Sequence, residues 1–383
     1  MTDADETRAL IEGIAAWAEF ETPSNRPEAV EALMRHVQER FAALGAAMEC
    51  PRPDPGTARI VIARFNAGAP GRRIMILGHL DTVHPLGAKD GPLPIRVEDG
   101  RLYGPGVLDM KGGNYLAYHA LKTLVAEGRL PSVPITVMLV PDEERGSPVS
   151  RPLIEAEAKR HDCVLVPEPA RSGYTVTGRF AFARYGLVTH GRPAHAGADN
   201  LAGKSAIRAM ARLIEEIESQ TDMTRLISYS VGVVHGGEFS NVVPPSCRAE
   251  VLAVADSAEN LAEVHRRMAE LRSPIPEVTL SVEPGPERPL FLPGPGTMAL
   301  YRLAESLAAD LGLALKHRVS GGGSDGNFTG ALGVPTLDGL GPAGEGPHTH
   351  GEHIDLDSLA ARARLFERLI AAIAADATEL SLP

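Results

Sequence analysis

Residues 72–79 read RRIMILGH: two arginines, four consecutive apolar side chains, then Gly78 and His79. A run this short, bounded by charge on one side and glycine on the other, suits a strand buried on both faces and ending near Gly78. PITVMLVPDEE (134–144) and DCVLVPEP (162–169) have the same character. Between the first two, GGNYLAYHALKTLVAEGR (112–129) places Leu116, Ala117, Ala120, Leu121, Leu124 and Val125 on one helical face, with Gly128 near its end. Strands alternating with helices imply an α/β fold, a mostly parallel sheet flanked by helices. LDSLAARARLFERLIAAIAAD (356–376) adds an amphipathic helix with Leu359, Phe366, Leu369, Ile370 and Ile373 as its stripe.

The middle third follows another order. FAFARYGLVTHG (180–191) reads as a strand, GKSAIRAMARLIEEIESQ (203–220) as a helix, and ISYSVGVVH (227–235) and CRAEVLAVA (247–255) as two strands. AENLAEVHRRMAELR (258–272) and EVTLSVEP (277–284) complete β-α-β-β-α-β, the ferredoxin-like arrangement. The expected organisation is therefore a discontinuous domain, 1–179 and 287–383, with a second α+β domain, 180–286, inserted into it. The pieces PGPGT (293–297) and GPAGEGPHT (341–349) read as loops.

Composition narrows the function. The 383 residues contain 44% hydrophobic side chains, ample for packed cores. A formal net charge of −11 and a pI near 5.7 argue against a nucleic-acid or anionic-lipid surface. No apolar run reaches bilayer length and the start, MTDADETRALIEG, is acidic, so the default expectation is cytoplasmic, with neither membrane nor nucleic acid as partner. Cys50, Cys163 and Cys247 lack C-x-x-C spacing and suggest small packed residues.

Several histidines and carboxylates stand in Gly/Pro-rich turns, mostly just past buried strands: His79 and Asp81 in GHLDTVHP, Asp109 in GPGVLDMKGG, Glu144 in PDEERGSP, Glu168 in VPEPA and His348 in GEGPHTHGE. Open parallel sheets bind ligands at such strand ends. Singly, each has a plainer reading: His79 as a solvated loop residue, Asp109 as a helix cap, Glu168 as an exposed carboxylate, Glu143 and Glu144 as a solvated corner. Jointly they suit zinc, and also manganese or cobalt. In extended backbone Glu143 and Glu144 would point to opposite faces, so the pair divides into a metal ligand and a proton carrier.

GHLDTVHP, GRLYGPGVLDMKGG, VPDEERGSPVSR, PAHAG, GGGSDGN and GVPTLDGLGPAGEGPHTHGE together resemble the di-zinc metallohydrolase family of glutamate carboxypeptidase, acetylornithine deacetylase and succinyl-diaminopimelate desuccinylase, the first branch most closely. The resemblance implies a zinc-peptidase catalytic domain plus an inserted dimerisation or lid domain. It implies two zinc ions per chain, bridged by Asp109, with His79 and Glu168 completing one site and Glu144 and His348 the other. His350 is the alternative to His348, which is preferred because the family reads H-T/S-x-x-E and Glu352 lies four residues beyond it. Asp81 would fix the His79 tautomer. Glu143 would be the general base, taking a proton from a water or hydroxide bridging the metals and passing it to the leaving amine.

The resemblance further implies that His195, in GRPAHAG, reaches the partner subunit's active site and stabilises the oxyanion, hence a homodimer through the inserted domain. Asn241 in SNVVPP and Arg288 in PERPLF match positions that contact the substrate carboxylate, with Gly323 among the pocket walls (323–327 and 341–346). One departure matters. Val254 stands where glutamate-preferring members commonly carry arginine, and Arg248, on the same strand face, is about 20 Å away. The expected substrate is a small peptide or N-acyl amino acid cleaved beside a free carboxylate. The alternatives are an N-acyl-amino-acid deacylase or dipeptidase, and, from another class, a non-catalytic homologue.

Overall fold

The computed structural model describes residues 3–375, so Asp376 of the last helical segment lies outside the described residues. It separates into two compact units: Phe180–Leu290 with Gly321–Gly323 forms the second, and the remaining described residues the first.

The first unit is built on a six-stranded sheet. Its order is Ala47–Glu49, Val61–Phe65, Ile135–Val140, Ile74–His79, Cys163–Leu165, Thr336–Leu337. The first two pairings are antiparallel and the other three parallel. The two central strands are buried at every residue, and alternation along them feeds two cores. Ile74, Ile76, Ile135, Val137 and Leu139 pack with Leu121, Leu124, Phe366 and Leu369; Met75, Leu77, Met138 and Val140 pack with Ile154 and Phe328. Helices thus cover both faces, as an apolar run without alternation requires.

Helix Gly112–Ala126 buries more than its expected stripe: Tyr118 and His119 are covered too, whereas Val125 is half-buried. It ends where Gly128 turns left-handed (φ 65°). The Gly128 N–H donates to the Val125 carbonyl at 3.1 Å and the Arg129 N–H to that of Leu124 at 2.8 Å, a Schellman closure. Two expected loops hold structure. Pro295, inside PGPGT, starts helix Pro295–Ala309, its fixed φ suiting the first turn, and Gly344–Glu345 pairs antiparallel with His353–Ile354. Strand Val61–Phe65, the charged strands Arg96–Glu98 and Arg101–Tyr103, and the parallel pair Tyr174–Arg179 with Lys316–Ser320 are further elements. Among the described residues no helix is long and apolar enough to cross a membrane.

The second unit is a four-stranded antiparallel sheet in the order Ile227–Gly236, Ser246–Ala255, Ala181–His190, Thr279–Arg288. In chain order this is strand 2-3-1-4, the ferredoxin-like topology. Helices Ala206–Glu218 and Ala258–Glu270 start at Ser205 and Ser257, whose hydroxyls accept the N–H groups of Arg208 and Asn260. Met210, Leu213, Ile217, Val264 and Met268 pack on Leu187, Cys247, Ala249, Val251 and Ala253. The last strand runs to Arg288, so the unit closes at Leu290 instead of residue 286.

Candidate metal centre and active site

The first unit brings seven of the sequence-marked residues together: His79, Asp81, Asp109, Glu143, Glu144, Glu168 and His348. His79 is the last residue of its strand, one position later than the strand end read from sequence. Asn114 Nδ2 donates to its carbonyl at 2.5 Å, and Gly78 leaves the room: a Cβ there would lie 2.0 Å from Asn114 Oδ1. His79 Nε2 lies 3.3 Å from Asp109 Oδ1 and 3.7 Å from Glu168 Oε1. The other Asp109 oxygen, Oδ2, lies 3.2 Å from His348 Nε2, which is 3.2 Å from Glu144 Oε2. Asp109 therefore faces two groups of donors, one through each oxygen. His79, Asp109 and Glu144 offer atoms that all lie within 4.8 Å of one another. Both histidines of this loop are exposed, but among the described residues His350 has no contact with the cluster, whereas His348, its side chain 52% exposed, turns Nε2 onto Asp109 and Glu144 with a left-handed φ of 64° that non-glycine residues seldom adopt.

The extended reading of Glu143 and Glu144 is corrected. They occupy a 3-10 turn, Glu143–Arg145, closed by Gly146 at φ 89°, so both carboxylates reach the same cluster. Glu143, buried, has Oε2 at 4.0 Å from His79 Nε2. Buried Asp142 anchors the turn, accepting the N–H groups of Val149 and Ser150 and the Ser150 hydroxyl. Asp109 is no helix cap either: it lies in a wide turn, Val107–Lys111, with non-helical φ/ψ, and Lys111 precedes the helix.

A surrounding layer holds these residues in place. The atom nearest His79 Nδ1 is the Asp81 carbonyl, at 2.9 Å, with the Asp81 carboxylate at 3.4 Å. That carboxylate accepts the Glu143 and Glu144 N–H groups at 3.1 and 3.2 Å and the Ser24 hydroxyl at 2.6 Å. Asp81 thus orients the imidazole chiefly through its backbone and the two glutamates through its side chain. Glu352, 1% exposed, does the same for the Asp109 turn. It accepts N–H groups from Gly106, Leu108 and Asp109 at 3.3, 2.9 and 3.0 Å, and His84 Nε2 lies 2.5 Å away. Sequence reasoning used Glu352 only as a spacing mark and did not single out His84 or Asn114.

The electrostatics ask for cations. Burial, then the Asp109 charge, pushes the Glu144 carboxyl up to about 8, and the same causes raise Glu168 well above the usual carboxylate range. Burial alone would lower the His79 imidazole, but hydrogen bonds to Asp109 and Asp81 hold it well above its ordinary value. Asp109 and then Glu144 push His348 up to about 11. The cluster thus holds protons on lone pairs that divalent cations would occupy, so binding them would release protons. The residues fit metals by two tests. Tetrahedral zinc with bonds of about 2.0–2.1 Å has ligand-to-ligand edges of roughly 3.3–3.4 Å, close to the 3.2–3.7 Å found here. Glu144 Oε1 is buried with no hydrogen-bond partner, an expensive arrangement unless a cation completes it.

His195, Asn241, Arg248, Val254, Arg288 and Gly323 belong to the second unit. His195 is exposed, and its Nδ1 accepts the N–H groups of Gly197 and Ala198 at 3.1 and 3.0 Å. That occupies the Nδ1 lone pair and leaves the proton of the neutral ring on Nε2. Asn241 runs beside it: its carbonyl accepts the Ala196 N–H at 2.9 Å. Phe182 pairs with Val254 on one side and Arg288 on the other, so the three form one cross-strand row. Gly323 packs against that row; a Cβ on it would meet Arg288 Cδ at 2.9 Å and Phe182 at 3.2 Å. Arg248 and Val254 lie on the face turned away from the helices.

A mixed sheet with a clustered set of imidazoles and carboxylates at its strand ends is the frame of a metallohydrolase. The chain belongs to peptidase family M20/M25/M40, whose model matches residues 75–372. It is 28% identical to carboxypeptidase G2 of Pseudomonas sp. (strain RS-16) over 375 residues, 96% of this chain and 89% of that protein. It is 27% identical to succinyl-diaminopimelate desuccinylase of Delftia acidovorans over 323 residues, 79% and 82% of the two chains. Among solved structures it resembles a tripeptidase from Staphylococcus aureus subsp. aureus Mu50, with a TM-score of 0.73, 23% identity, and 97% and 99% coverage.

Proposed function

We propose that this chain hydrolyses a peptide or amide bond beside a free carboxylate, and that Asp109, His79, Glu168, Glu144 and His348 hold a metal pair for that purpose. The observation that carries this is Asp109, whose two oxygens face the two donor groups at 3.3 and 3.2 Å. Zinc is the expected metal, with cobalt or manganese as substitutes. When bound, such ions lower the pKa of water from 15.7 toward about 7 and polarise a carbonyl oxygen.

The chain supplies the rest. Glu143 takes the proton of the attacking water and returns it to the leaving nitrogen as the C–N bond breaks. Two features support that assignment: its backbone is held by Asp81, and its carboxylate stands 4.0 Å from His79, beyond the ligand-to-ligand spacings. His195 Nε2–H donates to the oxygen that gains charge, acting across a homodimer formed through the inserted unit. Asn241 and Arg288 take the substrate carboxylate, with Gly323 giving room for it. The row Val254–Phe182–Arg288 keeps one guanidinium and presents apolar groups beside it, which favours a neutral or apolar C-terminal residue over glutamate.

The test is amine release by the zinc-loaded protein from N-acyl amino acids and dipeptides ending in Glu, Ala, Leu or Arg, with N-acetyl-ornithine alongside. Cleavage that favours Ala or Leu supports the proposal. Preference for the small acyl group whatever the amine moves the protein to the deacylase reading, and no hydrolysis of any member contradicts both.

A further inference from the structure

We infer that the acyl half of the substrate carries an anionic group, received by Arg26 and Arg145 in a cavity beside Glu144; this rests on the hydrolase reading above. The cavity has a volume of about 530 Å³ and is lined by Arg26, Arg145, Thr82, Val83, Leu86 and Glu144, among others. Val83 and Leu86 are 44% and 53% exposed, so its wall offers apolar surface to a ligand.

Both arginines stand on backbone that also builds the site. Arg145 ends the turn that carries Glu143 and Glu144. Arg26 precedes Pro27, the first residue of helix Pro27–Ala43. The segment before it is paired to the Asp81 loop: the Thr82 N–H donates to the Thr22 carbonyl at 2.8 Å and the Ser24 N–H to the Thr82 carbonyl at 3.1 Å. Ser24 also donates its hydroxyl to the Asp81 carboxylate. The arginine backbones are therefore as fixed as the loops that hold the cluster, a requirement for selecting a substrate group.

Charge makes the pair informative. The chain carries −11 overall, so cations without a partner stand out on it. Most arginines on this molecule have a carboxylate partner: Arg59 pairs with Glu31, Arg64 with Glu157, Arg73 with Asp162 and Arg364 with Glu6. Among the described residues, Arg26 and Arg145 have neither an ion pair nor a side-chain hydrogen bond. Two unpaired guanidiniums over apolar surface, beside Glu144 of the cluster, suit a carboxylate on a short apolar stem and would draw it inward. The proposed function assigns the carboxylate of the leaving amino acid to Asn241 and Arg288. The acyl half is what remains for this cavity.

The experiment compares N-acetyl-Glu-Ala with N-acetyl-Gln-Ala, which match in shape and differ in charge, using the zinc-loaded full chain. The expected result is a kcat/KM roughly tenfold higher for the acidic acyl residue at low salt, shrinking as salt rises. R26A/R145A should bring the ratio near one, and R145E should reverse it. Equal cleavage of both by the wild-type protein, or preference for the neutral one, overturns this inference and leaves the hydrolase reading standing. Failure to cleave these or any other peptide or N-acyl amino acid overturns the hydrolase reading, and this inference with it.

Discussion

Glu352 Oε1 accepts the backbone N–H of Asp109 at 3.0 Å, which ties a glutamate near the end of the chain to the carboxylate proposed to bridge two metals. Two further N–H groups and His84 meet the same side chain. Glu352→Ala would leave them unpaired in a buried place. Metal affinity should fall about 10- to 100-fold, read by calorimetric titration of the apo protein. Stability should drop by about 2–3 kcal/mol, seen in urea unfolding. Wild-type metal affinity in a folded Glu352→Ala protein would remove this role.

Val254 stands two strands from Arg288, about 10 Å away, with Phe182 between them. Val254→Arg would add a second guanidinium to that row. The kcat/KM ratio for C-terminal Glu over Leu should rise by about 10- to 100-fold, a charge-assisted hydrogen bond's worth. An unchanged ratio in a folded variant would place the side-chain pocket elsewhere.

Stability against acid should depend on Glu31. Burial would raise its carboxyl, but side-chain and backbone hydrogen bonds from Arg59, with the charges of Arg59 and Arg52, hold it at about 2 against an ordinary 4.5. A depressed carboxylate stabilises the fold above its unfolded pKa, and that contribution is lost as pH falls from about 4.5 toward 2. Its partners Arg35 and Arg52 are 64% and 44% exposed, so screening by solvent removes part of that contribution. Glu31→Gln should cost about 2–3 kcal/mol at pH 7 and progressively less below pH 4.5, measured as the urea midpoint at both pH values. A cost that does not change with pH would argue for lost packing instead.

The parts of this molecule legible in the sequence are those where one physical requirement dominates. The unbroken apolar runs at Ile74–Leu77 and Ile135–Val140 read as doubly buried strands because helices cover both sides of the sheet. The inserted unit was legible because its helices have strong stripes and its long strands alternate. Charged three-residue strands such as Arg96–Glu98 carry no such pattern; they exist through pairing with Arg101–Tyr103, which no local signal encodes.

Within the site, residue types were legible and local geometry was not. Extended backbone would have sent Glu143 and Glu144 to opposite faces; Gly146, left-handed, and Asp81, accepting both their N–H groups, make a turn instead. The sequence marks Asp81 as the partner of His79 but not the atom: its carbonyl, at 2.9 Å, is a closer acceptor than its carboxylate, at 3.4 Å. Glu352 was visible as a letter in a spacing, while its partners lie more than 240 residues upstream.

The most direct test of the account is the turnover of Glu143→Ala beside wild type, at matched metal content measured on the same samples. The expected result is two metals per chain in both proteins, with kcat reduced by at least about 10²-fold in the variant. A Glu143→Ala protein with undiminished kcat, or a metal-free wild type that remains fully active, would contradict it.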